Sequence, residues 1–329
     1  MVKDCVSPWP LINKGRPRGR PFFNMSLIFA LIMKIQLQQL SKSFGEKVAV
    51  DIPQLEIGDG EIIGLVGNNG AGKTTLFRLM LDLLRADSGE VLFTPHGGPK
   101  DQSPASVQSS ASAQSSASTQ SSVSAQSPAP VQSSASTLSS QTSQFTALSD
   151  VSRVSIDPAK SEEWKKMTGA FIDDTFLIDF LSVEEYLDFI IRVQGLSSVD
   201  WNVSDDPLVQ GFREFAEGQI FDQKKLIREY SAGNKQKIGI MAAMISRPEL
   251  LILDEPFNFL DPTGQNFLKK LLLDYHHRTG ATILISSHNL QHLVDVSTRV
   301  VLLEDGKVIE DLANDNQQAL TALNDYFKV

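Results

Sequence analysis

Apolar and polar positions change period several times along the chain, and each change marks an element. Residues 34–57 carry short apolar stretches broken by polar residues around a turn at Gly45, which predicts antiparallel strands. Glu61-Ile62-Ile63-Gly64-Leu65-Val66 is a run of buried-strand type that leads straight into a glycine-rich turn. Beyond that turn Leu76, Phe77, Leu79, Met80, Leu83 and Leu84 recur at helical spacing. Residues 250–253, a continuous apolar run, and 281–286, mostly apolar, read as strands inside a parallel sheet. Residues 235–245 are helix-like, and residues 180–189 read as an amphipathic helix with its acids on the solvent side. Near the end, 300–304 and 307–310 flank Asp305-Gly306, a two-residue hairpin signal. Strand, glycine turn, helix and further buried strands together predict an α/β fold built on a parallel sheet.

Two segments stand outside this pattern. Residues 102–149 hold no charged residue and repeat a six-residue unit, first as Val107-Gln-Ser-Ser-Ala-Ser112 and then as Ala113-Gln-Ser-Ser-Ala-Ser118. With no large apolar residues to bury, stacked copies could not offset the entropy of ordering, so a flexible insertion is expected. Residues 1–33 set Lys3, Lys14, Arg16, Arg18 and Arg20 against Asp4 alone and end in a short apolar run, 27–33. That combination reads either as a secretory signal or short anchor, or as an over-extended start whose true beginning is Met33, or as a disordered leader. Removing both segments leaves 34–101 and 150–329, together 248 residues, as one interrupted domain.

Composition narrows the class. Of the 329 residues 41% are hydrophobic, enough for a buried core. The single cysteine, Cys5, excludes a disulfide framework or a cysteine zinc cage. No run reaches the roughly 18–20 apolar residues of a membrane span. Subtracting the leader's +4 from the net charge of −9 leaves −13 for the rest, which gives nucleic acid no electrostatic footprint.

The glycine-rich turn carries the chemistry. Gly67-Asn68-Asn69-Gly70-Ala71-Gly72-Lys73-Thr74 fits G-x-x-x-x-G-K-[ST] at every position. Glycines let successive backbone N–H groups turn inward on a phosphate, and the following helix adds its positive end. Lys73 is placed for the β- and γ-phosphates and Thr74 for Mg²⁺. A second acidic site is needed for metal and attacking water. The strand Leu250-Leu251-Ile252-Leu253 ends in Asp254 and Glu255, one carboxylate for the metal and one to act as general base.

Upstream of that strand, Tyr230-Ser231-Ala232-Gly233-Asn234-Lys235-Gln236 resembles the Leu-Ser-Gly-Gly-Gln signature of ABC-type ATPases, departing from it at Ala232 and Asn234. The resemblance extends over nearly all of residues 34–310. It implies an α/β P-loop NTPase with a mixed, largely parallel sheet core, an antiparallel β subdomain and a helical subdomain bearing the signature. It also implies phosphate contacts from Gly67 through Thr75, and contacts from Ser231 and Gly233 to the γ-phosphate held by an opposite subunit. Asp261, in Asn258-Phe259-Leu260-Asp261, matches the segment coupling two subunits, and His288, in Ser286-Ser287-His288, matches the histidine that contacts the γ-phosphate. Phe44 reads either as an ordinary strand-end aromatic or, by the resemblance, as the ring against adenine. Asp173 stands where the family has a metal-reaching glutamine, and aspartate can still bind Mg²⁺ or a water.

The resemblance therefore implies an ATP-hydrolysing subunit on the cytosolic face of a membrane, with an exporter-like character. It would pair with a second ATPase subunit and power a separate integral membrane permease. Two alternatives stay open: an ABC ATPase acting in DNA repair or on the ribosome, and an ATP-gated clamp with little turnover.

Overall fold

The computed structural model describes residues 32–96, 155–197, 199, 201, 205–314 and 323. These belong to one compact unit; a second, Pro99–Arg153, lies outside the described residues. The uncharged insertion at 102–149 and all but the last two residues of the expected leader therefore also lie outside them.

Three strands form an antiparallel sheet: β1 (Ile32–Phe44), β2 (Lys47–Ile57) and β4 (Ser88–His96), in the order β2-β1-β4. β1 starts two residues before the domain edge expected at 34. The larger sheet has six strands: β3 (Ile62–Val66), β5 (Thr168–Phe171), β6 (Leu250–Leu253), β7 (Thr282–Ser287), β8 (Arg299–Glu304) and β9 (Lys307–Ala313). Their order is β5-β6-β7-β3-β8-β9, parallel except for β9, which pairs antiparallel with β8 through the anticipated Asp305-Gly306 turn.

Side-chain alternation along the central strands splits the core into two layers. Ile62, Val66, Leu251, Leu253, Ile283 and Ile285 face one apolar cluster, while Ile63, Leu65, Leu250, Ile252 and Leu284 face the other. The second layer is closed by the antiparallel sheet and by helix α1 (Lys73–Met80). The first is closed by α2 (Val183–Val193), α3 (Pro207–Ala216), α4 (Ala232–Met244), α5 (Pro262–Thr279) and α6 (Leu290–Val294). Among the described residues no helix is long and apolar enough to cross a membrane.

The helix after the glycine turn is shorter than its spacing predicts. α1 ends at Met80, and Asp82 takes a left-handed conformation (φ 50°) that turns the chain out of the helix, leaving Leu83 exposed. The helix expected over 180–189 begins only at Val183. There Ser182 and Glu185 form a reciprocal capping box, and Phe180 stays exposed ahead of it.

Helix α4 is buried on every side from Gln236 to Met244, because it packs on β5 and β6 and against α2 and α3. Its tightest contact is at Gly239, where a Cβ would lie 2.0 Å from the buried ring of Phe171. Gly239→Ala is expected to destabilise the fold by about 1–3 kcal/mol, as overpacked cores do, and to lower Tm by several degrees. An unchanged melting transition would contradict that close approach.

Candidate functional site

The phosphate-loop motif sits between β3 and α1 and is held from two sides. Gly72 caps α1 at φ 106°, and a Cβ there would lie 2.2 Å from the Ala49 carbonyl oxygen, so the loop is pressed onto β2 as only glycine allows. From the other side the Gly306 N–H donates to the Ala71 carbonyl at 2.9 Å, and the Asp51 N–H donates to the Gly306 carbonyl at 2.7 Å. The β8–β9 turn thereby ties the loop to the antiparallel sheet. Asn68, Asn69 and Gly70 form its exposed rim, and Thr75 is half-buried in the first turn of α1.

Lys73 is buried at 6% exposure. Its ammonium donates to the Gly67 carbonyl at 2.7 Å and lies 3.5 Å from Glu255 Oε1. The neighbouring Thr74 hydroxyl donates to Asp254 Oδ2 at 2.5 Å, so the loop and the acidic strand end meet directly. Asp254 is buried, and its other oxygen accepts from the Ser286 hydroxyl on β7. Burial raises its pKa above the ordinary carboxylate value, against the lowering effect of the Ser286 and Thr74 hydrogen bonds. A raised pKa marks a carboxylate that a cation would relieve.

Thr74 and Asp254 together offer two hard oxygen donors in contact. No cluster of three or more His, Cys, Asp or Glu suited to a metal occurs among the described residues. That sparse set fits Mg²⁺, which keeps several waters and takes one or two protein oxygens beside substrate phosphates.

Glu255 follows at φ 46°, a left-handed conformation that costs a non-glycine residue and persists only where surroundings enforce it. The enforcement is visible. Its N–H donates to Ser286 Oγ at 2.8 Å, and its carbonyl accepts from Gln236 Nε2 on α4 at 3.1 Å. Its carboxylate spans two cationic or proton-bearing groups, Lys73 on Oε1 and His288 Nδ1 on Oε2 at 2.9 Å. The His288 N–H also donates to Oε2, at 3.2 Å. Lys73, Glu255 after β6 and His288 after β7 thus form one continuous chain of contacts.

The other expected residues lie away from that chain. Ser231 caps α4 by accepting from the Asn234 N–H at 3.3 Å, and Gly233 packs so closely that a Cβ would lie 2.6 Å from the Phe259 carbonyl oxygen. Asp261 caps α5, accepting from the Gly264 N–H at 2.9 Å. Phe44 ends β1 with 53% of its surface exposed. Asp173 is engaged elsewhere than at the Thr74–Asp254 pair: Oδ2 pairs with Arg78 on α1 at 3.2 Å, and Oδ1 accepts from the Thr175 N–H at 3.0 Å.

Several participants escape sequence reasoning. Ser286 lies in the same Ser-Ser-His word that draws attention to His288, yet its hydroxyl links Asp254 to the Glu255 backbone. Gln236 and Arg78 sit on helices, where nothing in their spacing shows that one holds the Glu255 carbonyl and the other the Asp173 carboxylate.

Comparison with known proteins gives the family. A family model described as "ABC transporter" matches residues 50–258. Bacitracin transport ATP-binding protein BcrA of Enterococcus faecalis is 26% identical over 279 residues, covering 84% of this chain and 68% of that protein. Lantibiotic transport ATP-binding protein SrtF of Streptococcus pyogenes is 23% identical over 293 residues, covering 88% of this chain and 95% of that one. Among solved structures, an ATP-binding subunit of an ABC transporter superposes with a TM-score of 0.59 at 21% identity, covering 88% of this chain and 93% of that chain. A cassette dimer bound to ADP and Pi gives 0.57 at 15% identity, covering 86% and 99%. At those identities the structures show the fold.

Proposed function

The chain belongs to the ABC transporter family as an ATP-binding, ATP-hydrolysing component, and from that premise we propose that it pairs with a second ATPase subunit to power a separate membrane permease. The observation that carries the site assignment is the contact chain from Lys73 through Glu255 to His288, beside the Thr74–Asp254 pair. In this reading Gly67, Asn68, Asn69, Gly70, Ala71, Gly72, Thr74 and Thr75 cradle the ATP phosphates, and Lys73 leaves the Gly67 carbonyl for the β- and γ-oxygens. Thr74 and Asp254 would hold Mg²⁺, which when bound supplies charge neutralisation on those oxygens.

Glu255 accepts the proton of a water whose oxygen bonds to the γ-phosphorus as the bond to the β-phosphate oxygen breaks, giving ADP and phosphate. His288 orients the Glu255 carboxylate and faces the γ-phosphate. Asp173, paired with Arg78 in this structure, would offer a further oxygen to the metal, directly or through water. Ser231 and Gly233 would complete the site of a second copy, with Asp261 at the coupling segment, and Phe44 would lie against adenine. Two such chains would sandwich two ATP molecules at the cytosolic membrane surface.

Among the described residues the folded domain opens with β1 at Ile32, and Met33 is fully buried in its core. Relatives named for transport of bacitracin and of lantibiotics support the transport role. Affinity purification from membranes of the native host is expected to recover an integral membrane protein in stable stoichiometry. Consistent recovery of ribosomes or DNA instead would overturn the transport reading.

A further inference from the structure

We propose that Lys47, at the start of β2, is a second phosphate-binding lysine of the nucleotide site, acting on the α- and β-phosphates while Lys73 serves the β- and γ-phosphates. The proposal rests on the reading of residues 67–74 as the ATP phosphate loop. Three observations carry it. First, the Lys47 ammonium lies over the loop rim, with Nζ 3.7 Å from where a Cβ would stand on Gly70. Gly70 belongs to the stretch whose backbone N–H groups cradle the α- and β-phosphates in such loops.

Second, Lys47 pairs directly with Phe44 across the β1–β2 hairpin. Residues opposite one another in an antiparallel pair project on the same face, so the exposed Phe44 ring and the Lys47 ammonium belong to one surface beside the loop. An adenine on that ring would bring its first phosphates past Lys47.

Third, the two lysines flanking Phe44 differ in what they face. Lys42 lies 5.7 Å from the centre of the Phe44 ring, but Asp87 Oδ1 neutralises it at 2.7 Å. Lys47 has no carboxylate at ion-pairing distance among the described residues, which leaves its charge for an incoming anion. Sequence reading passes over it because a lysine opening a strand is an ordinary solvated residue.

The test uses the full chain and measures competition of ATP and of inorganic tripolyphosphate against a fluorescent ATP analogue. Lys47→Ala is expected to weaken both competitors by the same factor, about 5- to 10-fold, the scale of one charge-assisted contact at an exposed site. Lys47→Arg should restore most of the affinity, and the variant should show a shallower salt dependence of binding. Phe44→Ala should weaken ATP and leave tripolyphosphate unchanged, since only ATP carries a base to stack. Unchanged ATP affinity in Lys47→Ala, or a loss confined to ATP, overturns the phosphate role. Absence of ATP binding by the unaltered protein would instead overturn the nucleotide reading itself.

Discussion

Glu255→Gln is expected to lower steady-state ATP hydrolysis by about 10²–10⁴-fold while ATP binding persists. The structure gives the reason for both halves. Glu255 is the one acidic side chain at the loop that touches Lys73 and His288 together. Glutamine preserves its volume and can still accept from His288, so the strained backbone at φ 46° keeps its supports from Ser286 and Gln236. What glutamine lacks is a site for the proton released by the attacking water. In the proposed site, phosphate binding would rest on loop N–H groups and on Lys73, none of which the substitution removes. Turnover of the unaltered protein and of the variant, measured at saturating MgATP, decides the matter. Equal, near-zero rates in both would identify an ATP-gated clamp, and equal, substantial rates would remove Glu255 from the chemistry.

Most of the proposed catalytic half of this site is legible in the chain because it is local. A phosphate loop needs consecutive glycines, a lysine and a hydroxyl, and an acidic strand end needs its carboxylates next to an apolar run. Such words survive without knowledge of the fold, as do the buried strands β3, β6 and β7. The rest depends on distant packing. Strand β4 opens with Ser88-Gly89-Glu90, a polar start with no alternation to announce it, and is recruited by pairing with β1. Helix α4, expected over 235–245, runs Ala232–Met244, but its burial on every side comes from tertiary contacts. Asp261 and Ser231 are read as nucleotide or coupling residues, whereas in a single chain both side chains cap helices, a use that the same residue types serve everywhere. Ser286 and Gln236 stand inside the Ser-Ser-His and signature words, yet their own roles come from meeting Glu255 across 31 and 19 residues of sequence.

Asp254→Asn is expected to separate stability from function, raising the Tm of the nucleotide-free protein and reducing Mg-dependent hydrolysis by at least about 10²-fold. Burial raises the Asp254 pKa above the ordinary aspartate value, so the fold binds this proton more tightly than the unfolded chain does. The sign follows from linkage. A group with a raised folded pKa contributes stability that is fully present below its unfolded pKa and is lost as pH rises through the folded value. As pH rises and the carboxylate ionises, its buried charge is therefore a burden on the apo fold. Asparagine removes the charge and keeps the shape, and the Thr74 and Ser286 hydroxyls can each turn to donate or accept, so no buried polar atom is orphaned. A rise of about 2–4 °C corresponds to 1 kcal/mol in a chain of this size. The gain should shrink between pH 8 and pH 5, because the aspartate approaches the neutral state that asparagine mimics. The functional loss has the opposite origin: a neutral amide cannot supply the anionic oxygen that Mg²⁺ requires, and metal stabilisation of phosphoryl charge amounts to several kcal/mol. Thermal melts at the two pH values, with and without MgATP, check both arms. A lower Tm for Asp254→Asn at pH 8 would show that the carboxylate stabilises the empty fold, and ligand-induced stabilisation equal to that of the unaltered protein would remove Asp254 from the metal site.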